Sequence, residues 1–150
     1  MKKLIPFLAA ALAAAAVLSF SGCAARTPVS ADNFKKQAES QGFKVTEDSS
    51  SGSDAQKVLT AAKSSTGTQI VFYSFASESA AEDAYLSMKD NLSATGVSGK
   101  TLDTATFSKY TLVNGELSHT LARMDTTIVY GKTTVAHKSE VDQFFSAIKY

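Results

Sequence analysis

The side chains best suited to proton transfer near neutral pH are two histidines, His119 and His137. Nucleophilic catalysis requires such a base beside a hydroxyl or thiol group. His119 alternates with Leu117 and Leu121, so we expect it to share their inward-facing side of a strand. Many serines are present, but none lies in a nucleophile-elbow motif. A hydrolase that pairs His119 with a serine from a neighbouring strand is therefore one alternative, and no complete catalytic set is predicted.

Arg123 and Asp125 lie at a turn that we expect between two strands. Together they could bind the carboxylate of a ligand, because a guanidinium group can donate two parallel hydrogen bonds to it. They could equally form an exposed ion pair, an arrangement that is common and contributes little to stability. Arg123, Asp125 and His119 are the candidate ligand-binding residues of the sequence.

Two segments, Gly131-Lys132-Thr133 and Gly99-Lys100-Thr101, imitate the end of a phosphate-binding loop. Both lack the glycine that this loop requires five positions before its second glycine. His119 and His137 are 18 residues apart and outside any metal-binding spacing. The sequence therefore predicts no cofactor and no metal ion.

The charge balance argues against a nucleic-acid partner. The chain has 15 basic and 14 acidic side chains, and the two kinds are interspersed. Proteins that bind nucleic acids concentrate lysine and arginine, because contacts with phosphate supply much of their affinity. We find no such concentration and expect no nucleic acid as a partner.

The first 22 residues have the organisation of an export signal. Lys2 and Lys3 give a positive end, and Leu4 to Phe20 form an apolar stretch rich in alanine and leucine. This stretch is shorter than the ~20 apolar residues that a membrane-spanning helix needs, and it ends in small residues. We expect a leader that is removed.

The segment Phe20-Ser21-Gly22-Cys23 resembles the lipobox of bacterial lipoproteins, although Phe20 stands where leucine is usual. The resemblance implies that a signal peptidase recognises Phe20, Ser21 and Gly22. It also implies that Cys23 carries a diacylglyceryl group and becomes the new N-terminus. Two acyl chains hold a protein stably on a membrane, so membrane lipid is the expected partner of Cys23. The expected location is the extracytoplasmic membrane surface.

Cys23 is the only cysteine, so the exported domain can form no internal disulfide and must be stabilised by packing. Residues 23–30 are expected to form a tether whose seven residues after the cysteine span at most ~25 Å. Residues 31–150 have the length of a single domain.

Apolar periodicity and turn residues predict the elements of that domain. Ser30 and Ser77 or Ser79 are expected to cap two helices, and Ser139 to begin a third through a capping box with Asp142. Asn114-Gly115 predicts a type I′ hairpin turn. The expected helices cover 31–41, 78–95 and a segment from about 139, and the expected strands cover 43–47, 58–63, 69–75, 106–113, 116–123 and 127–135.

These elements predict an α+β fold in the order α-βββ-α-βββ-α, with a mainly antiparallel sheet covered by three amphipathic helices. Each half ends in an apolar strand followed by an amphipathic helix, so a weak internal duplication is a further hypothesis.

In organisation the exported domain resembles small Gram-positive lipoproteins of uncharacterised function. We expect a non-catalytic module that binds an envelope protein or a wall component. The alternatives are the hydrolase and a sensor or inhibitor domain. The latter would recognise its partner through the loop at 48–54 or through Asn114-Gly115, because binding residues are often carried by loops on a rigid scaffold.

Overall fold

The computed structural model describes residues 26–48 and 54–150. Within these ranges three α-helices and seven strands follow one another, and a short 3₁₀ turn precedes the last helix. The helices are α1 (Ala31–Ser40), α2 (Glu78–Ser93) and α3 (Lys138–Ala147). The strands are β1 (Lys44–Asp48), β2 (Ala55–Lys63), β3 (Thr68–Phe75), β4 (Lys100–Asp103), β5 (Phe107–Asn114), β6 (Leu117–Met124) and β7 (Thr127–Thr134).

The strands form one sheet in the order β1-β2-β3-β7-β6-β5-β4, and every neighbouring pair is antiparallel. The α+β class, the antiparallel sheet and its three helices are thus confirmed. The edge strand β4 is an addition, because its four residues are all exposed and carry no apolar alternation that would predict a strand. Pairing with β5 is what holds it in the sheet.

The sheet has a two-helix face, covered by α1 and α3, and a one-helix face, covered by α2. Strand β3 explains the division, because Ile70 and Phe72 point to the first face while Tyr73 and Phe75 point to the second. This is why apolar residues run continuously through β3, as expected of an interior strand.

Aromatic packing and one glycine bring the helices onto the two-helix face. The ring of Phe34 in α1 lies 5.4 Å from that of Phe72 and 5.3 Å from that of Phe144 in α3. Gly131 of β7 lies directly beneath α3, where an added Cβ would be 2.6 Å from Cγ1 of Val141. The close approach of α3 therefore requires glycine at this position.

Ser30 and Ser77 cap α1 and α2 as predicted, each accepting a hydrogen bond from a backbone N–H three residues later. The predicted capping box at Ser139 is wrong. Helix α3 begins one residue earlier, at Lys138, and its N-cap residue His137 makes no side-chain cap bond. The expected partner Asp142 pairs with Lys138. Glu140 accepts hydrogen bonds from side chains of β2, β3 and their connecting turn.

The hairpin between β5 and β6 lies where Asn114-Gly115 predicts it, but its turn type differs. Asn114 pairs with Leu117, so Gly115 and Glu116 are the two loop residues. Only Gly115 has a positive φ, of 60°. One positive φ at the first loop position is the pattern of a type II′ turn, whereas type I′ needs two.

The duplication hypothesis finds a counterpart in the strands. On either side of the central β3–β7 pair, the order β1-β2-β3 mirrors β5-β6-β7. A two-fold rotation about an axis perpendicular to the sheet exchanges the antiparallel strands β3 and β7 and keeps each face of the sheet on its own side. A complete repeat would therefore place the helices after these strands on the same face. Helices α2 and α3 instead pack on opposite faces. The repeat therefore extends to strand order and not to helix packing.

Candidate ligand-binding site

A cavity of about 330 Å³ lies between α2 and the one-helix face of the sheet, near the β4 edge. Asp103, Ser108 and Arg123 form its floor in one row, because strand register pairs Asp103 with Ser108 and Ser108 with Arg123. Helix α2 forms the wall opposite them. The α2 residues that line the cavity are Glu78, Glu82, Tyr85, Leu86 and Lys89.

Arg123 is 7% exposed, which is unusual for a side chain that always carries a charge. None of the ion pairs between described residues includes it, and its Nε atom has no hydrogen-bond partner. A buried donor without a partner destabilises a protein, because the protein does not replace the water that this atom has lost.

Tyr85 faces Arg123 from α2 and is 2% exposed. Its hydroxyl group is also buried without a hydrogen-bond partner. Burial raises the pKa of Tyr85 to about 12, with further upward effect from Asp103 and an opposing effect from Arg123. The hydroxyl therefore stays protonated at physiological pH and is available as a donor.

Within residues 26–48 and 54–150, Tyr85 Oη and Arg123 Nε are the two buried side-chain nitrogen or oxygen atoms that lack a partner. The two residues that carry these atoms line the same cavity. An unsatisfied buried polar group costs about 1–3 kcal/mol of unfolding free energy. Two such groups together cost a large part of the stability of a domain of this size. A ligand that accepts hydrogen bonds from both would remove that cost.

A larger cleft, of about 470 Å³, lies beside residues 27–29, along α1 and at the end of α3. It contains neither of the two unsatisfied atoms. Its lining includes Asn33 and Lys36, which are exposed residues of α1. The cavity under α2 is accordingly the better candidate site.

The structure separates Arg123 from Asp125. Arg123 points from β6 into the cavity, whereas Asp125 occupies the β6–β7 turn with a φ of 48°. The predicted alternative of a surface ion pair between them is wrong, because Arg123 is buried and no such pair forms among the described residues. Asp103, two strands away from Arg123 in the same row, is the acidic sheet residue that lines the cavity.

His119 lies on the one-helix face with Leu121, as its alternation predicts, but outside the cavity. Its Nδ1 atom is 2.8 Å from the hydroxyl oxygen of Tyr130. Burial, and to a smaller extent Lys132, lowers the pKa of His119 below 6.5. The only side chain within hydrogen-bond distance of its ring in the described chain is a tyrosine, so a serine–histidine pair is not formed.

Neither glycine-lysine segment builds a phosphate-binding loop. Gly131-Lys132-Thr133 lies within β7, and Gly99-Lys100-Thr101 leads into β4 instead of a helix. Gly99 is required for packing, since an added Cβ would be 2.3 Å from the Tyr110 ring. In the part of the chain described, no group of three acidic, histidine or cysteine side chains is placed to hold a metal ion.

Phe20, Ser21, Gly22 and Cys23 lie outside the described residues, as does most of the loop predicted at 48–54. None of the helices in the described ranges has the length and hydropathy needed to span a bilayer.

Sequence reasoning found Arg123 but missed Tyr85 and Asp103. Tyr85 follows the apolar stripe of α2, so the pattern predicts a core residue and conceals its polar end. Asp103 lies in the unpredicted strand β4. A polar atom on an otherwise apolar helix stripe is the signal that could have identified Tyr85.

Among known proteins, a similarity is found in fold and none in sequence family. No protein-family model matches the chain, and no curated protein of similar sequence is found. The crystal structure of a GTP binding regulator from Thermotoga maritima has a similar fold, with a TM-score of 0.52 and 17% identity. The match covers 82% of this chain and 89% of that one. At this identity the similarity concerns the fold alone.

Proposed function

We propose that the chain is a lipid-anchored protein of the extracytoplasmic membrane surface whose folded domain is a non-catalytic binding module. The resemblance of residues 20–23 to a lipobox supports the anchor. The cavity under α2 supports the binding role, because two of its lining residues carry buried donors without a partner among the described residues. This pairing of unsatisfied Arg123 and Tyr85 atoms is the observation that carries the proposal.

Neither alternative function has a comparable basis. The hydrolase needs a hydroxyl nucleophile beside His119, and the Nδ1 partner of His119 is a tyrosine on the same sheet face. Binding of GTP belongs to the structural neighbour's description, and this chain lacks a phosphate-binding loop among its described residues. A sensor or inhibitor would still need a binding site, for which the cavity is the better-supported location.

Replacing Cys23 with alanine tests the anchor. We expect the wild-type chain in the membrane fraction of a bacterial host and Cys23→Ala in the soluble extracytoplasmic fraction or the medium. Labelling with a fatty-acid analogue should mark the wild-type protein alone. Persistence of Cys23→Ala at the membrane, or absence of label from the wild type, would contradict the lipid anchor.

Site-specific photocrosslinking tests the binding role. A photoreactive residue at position 82 would lie on the cavity rim, whereas one at position 39 would lie on exposed α1, across the sheet. Both positions hold exposed glutamates, so the two variants are matched. We expect a discrete crosslinked product from position 82 in intact cells and none from position 39. Equal products from both positions, or none from either, would refute a binding role for the cavity.

A further inference from the structure

We propose that the cavity under α2 binds a small zwitterionic ligand with a carboxylate and an ammonium group, such as an amino acid or a short peptide. This inference rests on the proposed binding function and specifies the class of ligand. It is drawn from the donors inside the cavity and from the charges on its rim.

The buried groups require the ligand to supply an acceptor. A guanidinium group can only donate hydrogen bonds, and its flat fork matches the two oxygens of a carboxylate. The Tyr85 hydroxyl is protonated and has no acceptor within the described chain. Arg123 and Tyr85 together therefore select a ligand group that carries negative charge and accepts several hydrogen bonds.

The rim requires positive charge elsewhere on the same ligand. Glu78, Glu82 and Asp103 surround the cavity, whereas Lys89 and Arg123 are its only cationic lining residues. Three negative and two positive side chains give the lining a net charge of minus one. A phosphate dianion would be repelled by this set, but a carboxylate with a nearby ammonium group matches both parts of it.

The size and position of the cavity fit a small ligand. Its volume of about 330 Å³ is at the lower end of the ~300–1,000 Å³ that small-molecule sites occupy. Asp103 and Arg123 are separated on the sheet by Ser108, whose strand lies between theirs. A ligand lying across this row would place its two charged ends on two different strands.

Calorimetric titration of the full chain in mild detergent with three alanine dipeptides tests the inference. We expect L-alanyl-L-alanine to bind, its N-acetyl derivative to bind about tenfold more weakly, and its C-terminal amide not to bind. Equal binding of the amide would overturn the carboxylate contact. Equal binding of the N-acetyl derivative would overturn the role of the acidic rim. No binding of the unmodified dipeptide would overturn the proposed ligand class.

Two variants assign the binding to the cavity. Arg123→Lys keeps the charge but loses the fork, and we expect binding about tenfold weaker. Tyr85→Phe keeps the packing and removes one donor, so it remains informative if Arg123→Lys does not fold. We expect Tyr85→Phe to weaken binding about fivefold. Lys132→Met, on the same sheet face outside the cavity, should bind as the wild type does. Unchanged binding by Tyr85→Phe would place the ligand elsewhere.

The two proposals fail separately. A crosslinked product at position 82 with no dipeptide binding would leave the binding module intact and overturn the zwitterionic ligand. Absence of both the product and dipeptide binding would overturn both proposals.

Discussion

Glu140 joins α3 to the sheet, and replacing it with glutamine should cost about 2 kcal/mol of unfolding free energy at neutral pH. Its Oε2 accepts hydrogen bonds of 2.8 Å from the hydroxyls of Thr66 and Thr68, and its Oε1 accepts one of 3.0 Å from Lys63 Nζ. Hydrogen bonds to charged groups contribute about 1.5–3 kcal/mol each, whereas neutral ones contribute about 1. Glutamine keeps one acceptor oxygen but loses the charge, so we expect part of this energy to be lost.

The effect should depend on pH. Burial alone would raise the pKa of Glu140, but the hydrogen bonds from Thr66, Lys63 and Thr68 outweigh it and hold the pKa below 4.5. A carboxyl group whose pKa is lowered by folding stabilises the native state fully above its unfolded pKa. That stabilisation is lost as the pH falls through the folded pKa. The difference between wild type and Glu140→Gln should therefore be largest above pH 4.5 and shrink in more acidic solution.

Urea unfolding followed by circular dichroism at pH 7 and at pH 3 measures both effects. Asp142→Asn is the matched control, because Asp142 pairs with Lys138 on the same helix and both side chains are more than one-third exposed. Such a pair contributes less than about 0.5 kcal/mol. Equal losses in the two variants, or a Glu140→Gln loss unchanged at pH 3, would refute the reasoning.

Three further predictions concern single side chains. Gly131→Ala should lower the unfolding free energy by about 1–3 kcal/mol in urea unfolding, because its Cβ meets Val141 at 2.6 Å; an unchanged midpoint would contradict this packing. Tyr85→Phe should raise the melting temperature of the ligand-free chain by a few degrees, since it removes an unsatisfied hydroxyl that destabilises the fold by about 1 kcal/mol. A lower melting temperature would show that the hydroxyl has a hydrogen-bond partner. In an NMR titration, the pKa of His119 in the folded chain should lie below 6.5. Its contribution to the unfolding free energy is therefore complete above pH 6.5, the ordinary pKa of the unfolded chain, and is lost as the pH falls through the folded pKa. His119→Gln should remove that dependence, and a titration at or above pH 6.5 would contradict it.

Local signals predicted the elements of this chain well where a single residue decides the outcome. Ser77 has the side-chain oxygen that α2 needs at its start, and Gly115 has the backbone freedom that the β5–β6 turn needs. The sequence did not predict contacts between residues that are far apart in the chain. Ser139 matches a capping pattern, but α3 begins at Lys138, and the expected partner Asp142 pairs with Lys138. Glu140 contacts hydroxyl groups that are far from it in the sequence. Nothing in the sequence near Glu140 shows that Thr66 and Thr68 will be there.

The candidate site was only partly predictable for the same reason. Arg123 was identified from its residue type, but its burial follows from the register that puts β5 and β7 on either side of it. Asp103 joins the site through the pairing of β4 with β5, which lacks an apolar pattern of its own. Because the site is assembled from β4, β5, β6 and α2, no short segment of the sequence contains it.

The surroundings of Glu140 and Arg123 differ in a way that supports a binding role for the cavity under α2. Glu140 lies between a helix and the sheet, and three side chains satisfy its carboxylate. Arg123 lies on the sheet beneath α2. Tyr85, Ser108 and Asp103 line the same cavity, yet Arg123 forms no ion pair within the described residues. A domain that satisfies the partly buried charge of Glu140 with three side chains has the means to satisfy Arg123 as well. Exceptions to local consistency concentrate at functional sites, and the lack of a partner for Arg123 Nε among the described residues supports the ligand that we propose.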